Sequence, residues 1–354
     1  MTAVEARQQP RRGLVSGFSP AARRASVETA VLLVLLLLLP LVLSNFWIQI
    51  LTSVAIYSIV ALSLALLMGR VGLVSLCQIA LLAVGGWVAL RLGFAFGAGL
   101  PFPLLLLLSG AITAIIGTLI GLPALRLSGL YLALITLMAA AALTQIIQAI
   151  NFPNGGPGLL GYSKDAAGSV AASITRPDLL AGDAAYYRVC VLVAAAMFVI
   201  GVWHVYGKAG RAWAAIRQSE MAAVAAGVNV TLYKLWAFAL ASFMVGVAGC
   251  LLAASTGGLT TYAFPAQDSI TILAVVLMGG IYTFWGPVVA AVLLKLLPEI
   301  LKNWGLPPDV LTILFGIGVL QAMLTAPEGL AVQFPRDMAS LSRRLGRLAT
   351  RTTP

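Results

Sequence analysis

Charge is what this sequence has least of. Lys, Arg, Asp and Glu together make up 9% of the 354 residues, where a soluble domain carries roughly a quarter. Acids are the scarcer sign, 11 against 22 Lys and Arg. A soluble globular domain is thereby excluded. There is one histidine, His204, and there are three cysteines, Cys77, Cys190 and Cys250, far apart and in or beside apolar runs. An odd number of cysteines without metal-ligand spacing gives neither a disulfide framework nor a zinc site. They read as small buried apolar residues. No Gly-x-x-x-x-Gly-Lys-Ser/Thr stretch occurs, so the chain has no P-loop for hydrolysing ATP. Nor do its scattered acids and single histidine make the constellation of acid, base, nucleophile or metal ligand that an enzyme requires.

What the chain has instead is apolar surface. Hydrophobic residues are 61% of the total, gathered in runs near the ~20 residues that cross a bilayer. Seven runs come first: Thr29 to Leu43, Trp47 to Met68, Leu76 to Leu92, Leu104 to Leu122, Leu130 to Ile150, Arg188 to Tyr206, and Leu235 to Ser255. Asp268 is placed to cap the next run, which reaches Met278. The break Gly279-Gly-Ile-Tyr-Thr-Phe-Trp-Gly-Pro287 divides it from Val288 to Leu301, and Val310 to Leu324 follows. This pattern predicts an all-α polytopic membrane protein of about ten transmembrane helices. The expected layout is a basic tail over 1–28, a transmembrane domain over 29–332 and a second basic tail over 333–354. The segment 269–301 stays open: it crosses twice or is partly re-entrant. No clear sequence repeat is visible, although inverted repeats survive in structure when sequence similarity has faded.

The first basic tail and the run after it resemble a signal peptide in outline. The tail is long, no small-x-small site follows Leu43, and another apolar run begins at once, so an uncleaved span is expected. The net charge of +11 does not point to nucleic acid, because the excess lies in tails and short loops. With both termini in the cytoplasm, ten spans place sixteen of the 22 Lys and Arg inside, as the positive-inside rule requires. Residues 151–187 then form an external loop. Its Asn154-Gly-Gly-Pro-Gly158 is a turn rather than a phosphate cradle, since no Lys-Ser/Thr follows.

One polar island interrupts the second half, running from Lys208 to Lys234 and carrying Arg211, Arg217 and Glu220. Ser219 is placed to cap a short helix, Glu220 to sit at the favourable end of its dipole, and Gly227 to end it in the left-handed conformation. A short, small-residue helix at a membrane surface is what a docking element needs. The plain alternative is a solvated basic loop.

The island resembles the cytoplasmic coupling loop of ATP-binding-cassette importer permeases, specifically the branched-chain amino-acid (LivM) family. The likeness rests on Gly210-Arg-Ala-Trp-Ala-Ala-Ile-Arg217, on Ala222-Ala223 with Gly227, and on Tyr233-Lys234-Leu235. The importer loop reads Glu-Ala-Ala with Gly four residues on; here Met221 holds the Glu position and Glu220 lies one residue early. Other segments, between about 45 and 332, are similar to the family's motifs. They are Gly69-Arg-Val-Gly72 through Leu76, Arg126-Leu-Ser-Gly129 through Thr136, Asn154 to Leu159, Ser269 to Pro287, and Pro327-Glu-Gly-Leu330.

The resemblance implies a type II importer permease fold in a bacterial inner membrane. It implies a second, LivH-like permease subunit, two ATP-binding subunits and a periplasmic solute-binding protein as partners, with no cofactor of its own because ATP is bound by the partners. It assigns Arg211, Arg217, Glu220, Ala222, Ala223 and Gly227 to the ATPase-subunit contact. Helix breaks or pathway positions are Gly72, Gly129, Thr136, Gly279, Gly280, Gly286 and Pro287. The implied cargo is branched-chain amino acids, or urea and short amides as in some relatives. An ion-coupled carrier is the reading from another class. It would show acids inside its spans, and here only Asp268, Lys295 and Glu299 are candidates, the last two spaced to pair along one helix face.

Overall fold

The computed structural model describes residues 36–96, 100–124, 129–149, 180–259 and 263–303, with isolated positions at 34, 174, 176 and 177 and between 305 and 333. Both basic tails apart from Gln333, the loop over 151–173, residues 29–33 and 35 of the expected span 29–43, and residues 311, 312, 314, 315, 319, 322 and 323 of the expected span 310–324 lie outside the described residues. So do Arg126, Asn154 to Leu159 and Pro327. The chain divides into two units, Met1–Leu43 and Ser44–Pro354. In the first, the described residues hold one 3-10 turn, Leu39–Leu41, with Pro40 in it.

The second unit is helical wherever it has regular structure among the described residues. Helix α1 spans Asn45–Leu66 and tightens into a π-type turn over Leu67–Val71. Then come α2 (Gln78–Phe96), α3 (Phe102–Ala124), α4 (Leu130–Ala149) and α5 (Asp183–Tyr206). Two short helices, α6 (Lys208–Gln218) and α7 (Glu220–Ala225), lead into α8 (Val230–Thr256). Last are α9 (Asp268–Gly279), α10 (Gly286–Ala291) and α11 (Leu297–Asn303), the final two joined by a π-type turn over Val292–Leu296. Among the described residues, five elements are long and apolar enough to cross a membrane: Asn45–Val71, Gln78–Phe96, Phe102–Leu122, Asp183–Tyr206 and Val230–Thr256. The sixth expected span begins earlier than its apolar run, so Arg188 lies inside α5 rather than opening it.

In lipid the apolar effect does not drive helix against helix, so close packing has to, and small residues permit it. Ser109, Thr113, Gly117 and Gly121 recur every fourth residue on α3 and face α8. The Ser109 hydroxyl donates to the Gly85 carbonyl at 2.5 Å and to that of Gly246 at 3.3 Å. A β-carbon on Gly246 would lie 2.6 Å from Thr113 Cβ, and one on Gly85 would lie 2.6 Å from Gly246 Cα. Helices α2, α3 and α8 thus meet almost backbone to backbone. Around this seam Ile56, Leu82, Leu90, Met244 and Leu251 are completely buried.

The far end of α8 is held by a clasp. Arg176 donates to the Ala254 and Ser255 carbonyls and pairs with Asp183 at 2.6 Å. Its guanidinium lies 4.5 Å over the ring of Tyr186, whose hydroxyl donates to the Leu251 carbonyl. The two Arg176 bonds satisfy orphan carbonyls of the last turn.

Helix α9 settles part of the question left open over 269–301. Its 12 residues rise about 18 Å, well short of the ~30 Å hydrocarbon core. The chain then breaks at 280–285 before helix resumes at Gly286. Asp268 is not the cap of α9: Gln267 holds that position, and Asp268 lies in the first turn. Nor is Lys295 paired with Glu299. Its ammonium sits 4.0 Å over the Tyr57 ring, while Glu299 is 3.8 Å from Lys302.

Candidate functional site: the polar island and the two helix breaks

The polar island folds as two helices, not the one short helix its sequence suggests. Helix α6 is the element the sequence reading missed, although its spacing carried the signal: Ala212, Trp213 and Ile216 fall on one face and are buried, with Lys208 and Arg211 exposed on the other. Gly210 makes the corner from α5 possible, because a β-carbon there would run into the Val205 carbonyl. Trp213 anchors the helix, fully buried, its indole N–H donating to the Tyr233 carbonyl at 2.9 Å.

Helix α7 has the ends its sequence predicts. Ser219 Oγ accepts from the Ala222 N–H at 3.3 Å. Gly227 has φ +78 and closes the helix, its N–H donating to the Val224 carbonyl and that of Val228 to the Ala223 carbonyl. These are the paired bonds of a Schellman end. Next, the Asn229 side chain caps α8 by accepting from the Leu232 N–H.

Three residues of the island make contacts within the chain itself. Ala223 is 1% exposed and belongs to the chain's own core, so its small side chain serves internal packing. Glu220 pairs with Lys234 at 2.6 Å. Lys234 is only 3% exposed at the start of α8, and a buried ammonium requires such a partner. Arg217 turns back to the body of the protein. It donates to the Gly69 carbonyl at 2.8 Å and lies 4.6 Å over the Tyr282 ring. Ala222 and Gly227 remain on the open surface, as does Arg211. Met221 and Val224, 82% and 60% exposed, complete the outward face.

Two breaks in the helices lie against each other near this segment. The first follows the π-type turn at Leu67–Val71, where Gly72 has φ +85. Residues 72–77 then run without helix, with Leu73, Ser75, Leu76 and Cys77 buried. Unwound backbone in a membrane protein needs internal partners. The Leu73 N–H finds the Leu67 carbonyl, that of Leu76 finds Thr136 Oγ1 at 2.9 Å, and that of Ile79 finds Ser269 Oγ. Thr136, a pathway candidate from its motif, is therefore fully buried and holds the break in place. Gly129, with φ +61, lies at the turn into α4.

The second break runs from Gly280, at φ +107, to Gly286 and Pro287 at the start of α10. Thr283 stitches it: its hydroxyl donates to the Gly280 carbonyl and accepts the Gly286 N–H. A β-carbon on Gly279 would meet the Gly286 carbonyl, and one on Gly69 the Ile281 carbonyl. Arg70 joins the breaks, donating to the Tyr282 carbonyl at 3.1 Å with its guanidinium 5.1 Å over the Phe284 ring. The predicted breaks at Gly72 and at Gly279 to Pro287 thus come together, with Arg217 of the polar island touching both.

A helical membrane body with paired helix breaks at one end and an anchored polar segment beside them is the build of a transport permease, where discontinuous helices mark a path. The sequence profile of the family described as "Branched-chain amino acid transport system / permease component" matches residues 46–323. The chain belongs to that family. It is 30% identical over 332 residues to the "High-affinity branched-chain amino acid transport system permease protein LivM" of Salmonella typhimurium, covering 88% of this chain and 77% of the relative. The protein of the same name from Escherichia coli K12 matches to the same extent. No solved structure matches the chain.

Proposed function

We propose that this permease is the LivM-like half of an importer's membrane pore and imports branched-chain amino acids released by a periplasmic binding protein. In this reading it pairs with a second, LivH-like permease subunit. It has no ATPase site of its own, and two ATP-binding subunits drive it. It sits in a bacterial inner membrane, and the tails at 1–28 and 333–354 lie in the cytoplasm with the coupling loop over 207–234. The observation that carries this reading is α7: a short helix fixed at both ends, with Met221, Ala222 and Val224 turned outward. Exposed apolar side chains on a rigid support suit a partner's groove.

The test is Met221→Asp with Val224→Asp. Both side chains are exposed, so membrane levels should stay near those of the unaltered protein. Co-purification of the ATP-binding subunit and leucine uptake should fall together, by tenfold or more. Unchanged pull-down and uptake would leave the island a solvated connector. Uptake driven by a proton or sodium gradient without ATP would replace the importer reading with an ion-coupled one.

A further inference from the structure

Beside the coupling segment is a cavity of about 610 Å³, open on one side, whose lining includes Arg70, Tyr206, Gly210, Ala214, Arg217 and Gln218. That volume is ample for a small ligand. Its walls are the end of α1, the end of α5 and the body of α6. Among the described residues, two guanidinium groups line it and no carboxylate does. Both contact Tyr282, Arg70 through the carbonyl and Arg217 through the ring. Glu220, the acid of the coupling segment, is engaged by Lys234. Each arginine has five N–H donors in a fixed fork that suits phosphate. The bonds from Arg70 to the Tyr282 carbonyl and from Arg217 to the Gly69 carbonyl each take one of them.

The surroundings set the depth of the cavity in the bilayer. Tyr206 and Trp203 at the end of α5 are 75% and 74% exposed, and Trp236 near the start of α8 is half exposed. Exposed Trp and Tyr at the ends of apolar spans belong at headgroup level. Lys208 and Arg211 lie exposed just beyond them. A basic cavity between helix ends at that level meets phosphodiesters before any soluble anion. We propose that the cavity between Arg70 and Arg217 holds the phosphate of an anionic lipid headgroup, seated against α6 at its junction with α5 and α1. This goes beyond the import reading and does not depend on it.

The full-length protein, purified and reconstituted in phosphatidylcholine containing a minor share of phosphatidylglycerol, tests this. Lipid retained after re-extraction in detergent is counted by mass spectrometry. The unaltered protein should retain phosphatidylglycerol about tenfold above its share of the bilayer. Arg70→Gln with Arg217→Gln should abolish that enrichment. Because those arginines also brace the helix breaks, Ala214→Trp is the second variant. It fills the cavity from one wall with both charges intact and should abolish enrichment too. Lys208→Gln with Arg211→Gln removes the same charge from the neighbouring surface and should leave enrichment within twofold. Loss in that pair equal to the loss in the cavity pair would mean diffuse surface attraction and overturn the proposal. So would enrichment that survives Ala214→Trp. Saturable binding of inorganic phosphate, dependent on the two arginines but without lipid enrichment, would make this a soluble-anion site and overturn the lipid assignment.

Discussion

At the scale of single residues, the pair Glu220–Lys234 decides how firmly the coupling segment is held. Lys234 is buried, while the Glu220 side chain is about half exposed. Truncating the acid leaves an ammonium without its partner, whereas removing both charges need not cost much. Glu220→Ala is therefore expected to lower stability by roughly 1–3 kcal/mol, since the pair is a charged hydrogen bond with one partner near water. Lys234→Met in the same background should recover most of the loss. Thermal unfolding of the four proteins of the cycle in detergent measures it, and additive effects would mean the two groups do not interact. The ends of this helix were legible beforehand: Ser219 and Gly227 have local roles that sequence spacing shows directly. The acid's partner was not, because the turn at 226–229 lies between Glu220 and Lys234. That Ala223 packs into the chain's own core was hidden for a related reason. Spacing shows that a small residue is wanted but not whether the close neighbour is a partner or the chain itself.

Among whole elements, hydropathy located the long helices well and the irregular ones poorly. The runs around Trp47, Leu104 and Leu235 became α1, α3 and α8 with ends moved by a few residues. Helix α6 went unread because its apolar face is only Ala212, Trp213 and Ile216 within a basic stretch. The unwound segment at 72–77 showed in the sequence only as a break at Gly72, since the partners that hold it, such as Thr136 and Ser269, are remote in sequence. The seam between α2, α3 and α8 depends on contacts that a single added side chain would block. Gly246→Leu puts four carbons where Thr113 Cβ and the Ser109 carbonyl already lie, within 2.6 and 2.9 Å of the first of them. Overpacking typically costs about 1–3 kcal/mol, and here the obstacle is partly backbone, which cannot rotate aside. The variant should unfold at lower temperature in detergent and be cut faster by protease. Gly227→Leu provides the contrast, because a β-carbon there meets nothing within 4 Å and only the positive φ resists it. Equal protease sensitivity in the two would argue against the seam as the source of rigidity.

For the molecule as a whole, the distribution of charge gives the strongest claim about orientation. Basic residues crowd at the polar island, which carries Lys208, Arg211, Arg217 and Lys234 and sets Arg217 beside Arg70, while the Arg176–Asp183 clasp at the other end is balanced. An excess of Lys and Arg marks the side retained in the cytoplasm. Helix α5 connects the two ends directly: Asp183 begins it and Tyr206 finishes it, over 24 residues, or about 36 Å of rise. That exceeds the ~30 Å hydrocarbon core, so residues just before and just after α5 face opposite compartments. Labelling can read this with little background, because Cys77, Cys190 and Cys250 are all buried. A cysteine at the exposed Ala181 should react with a membrane-impermeant maleimide in cells whose outer membrane has been opened. A cysteine at Met221 should react only after the inner membrane is permeabilised or the protein is solubilised. Reaction at both sites in sealed inner membranes would mean that α5 does not cross, and the reverse pattern would place the coupling segment outside, away from any source of ATP.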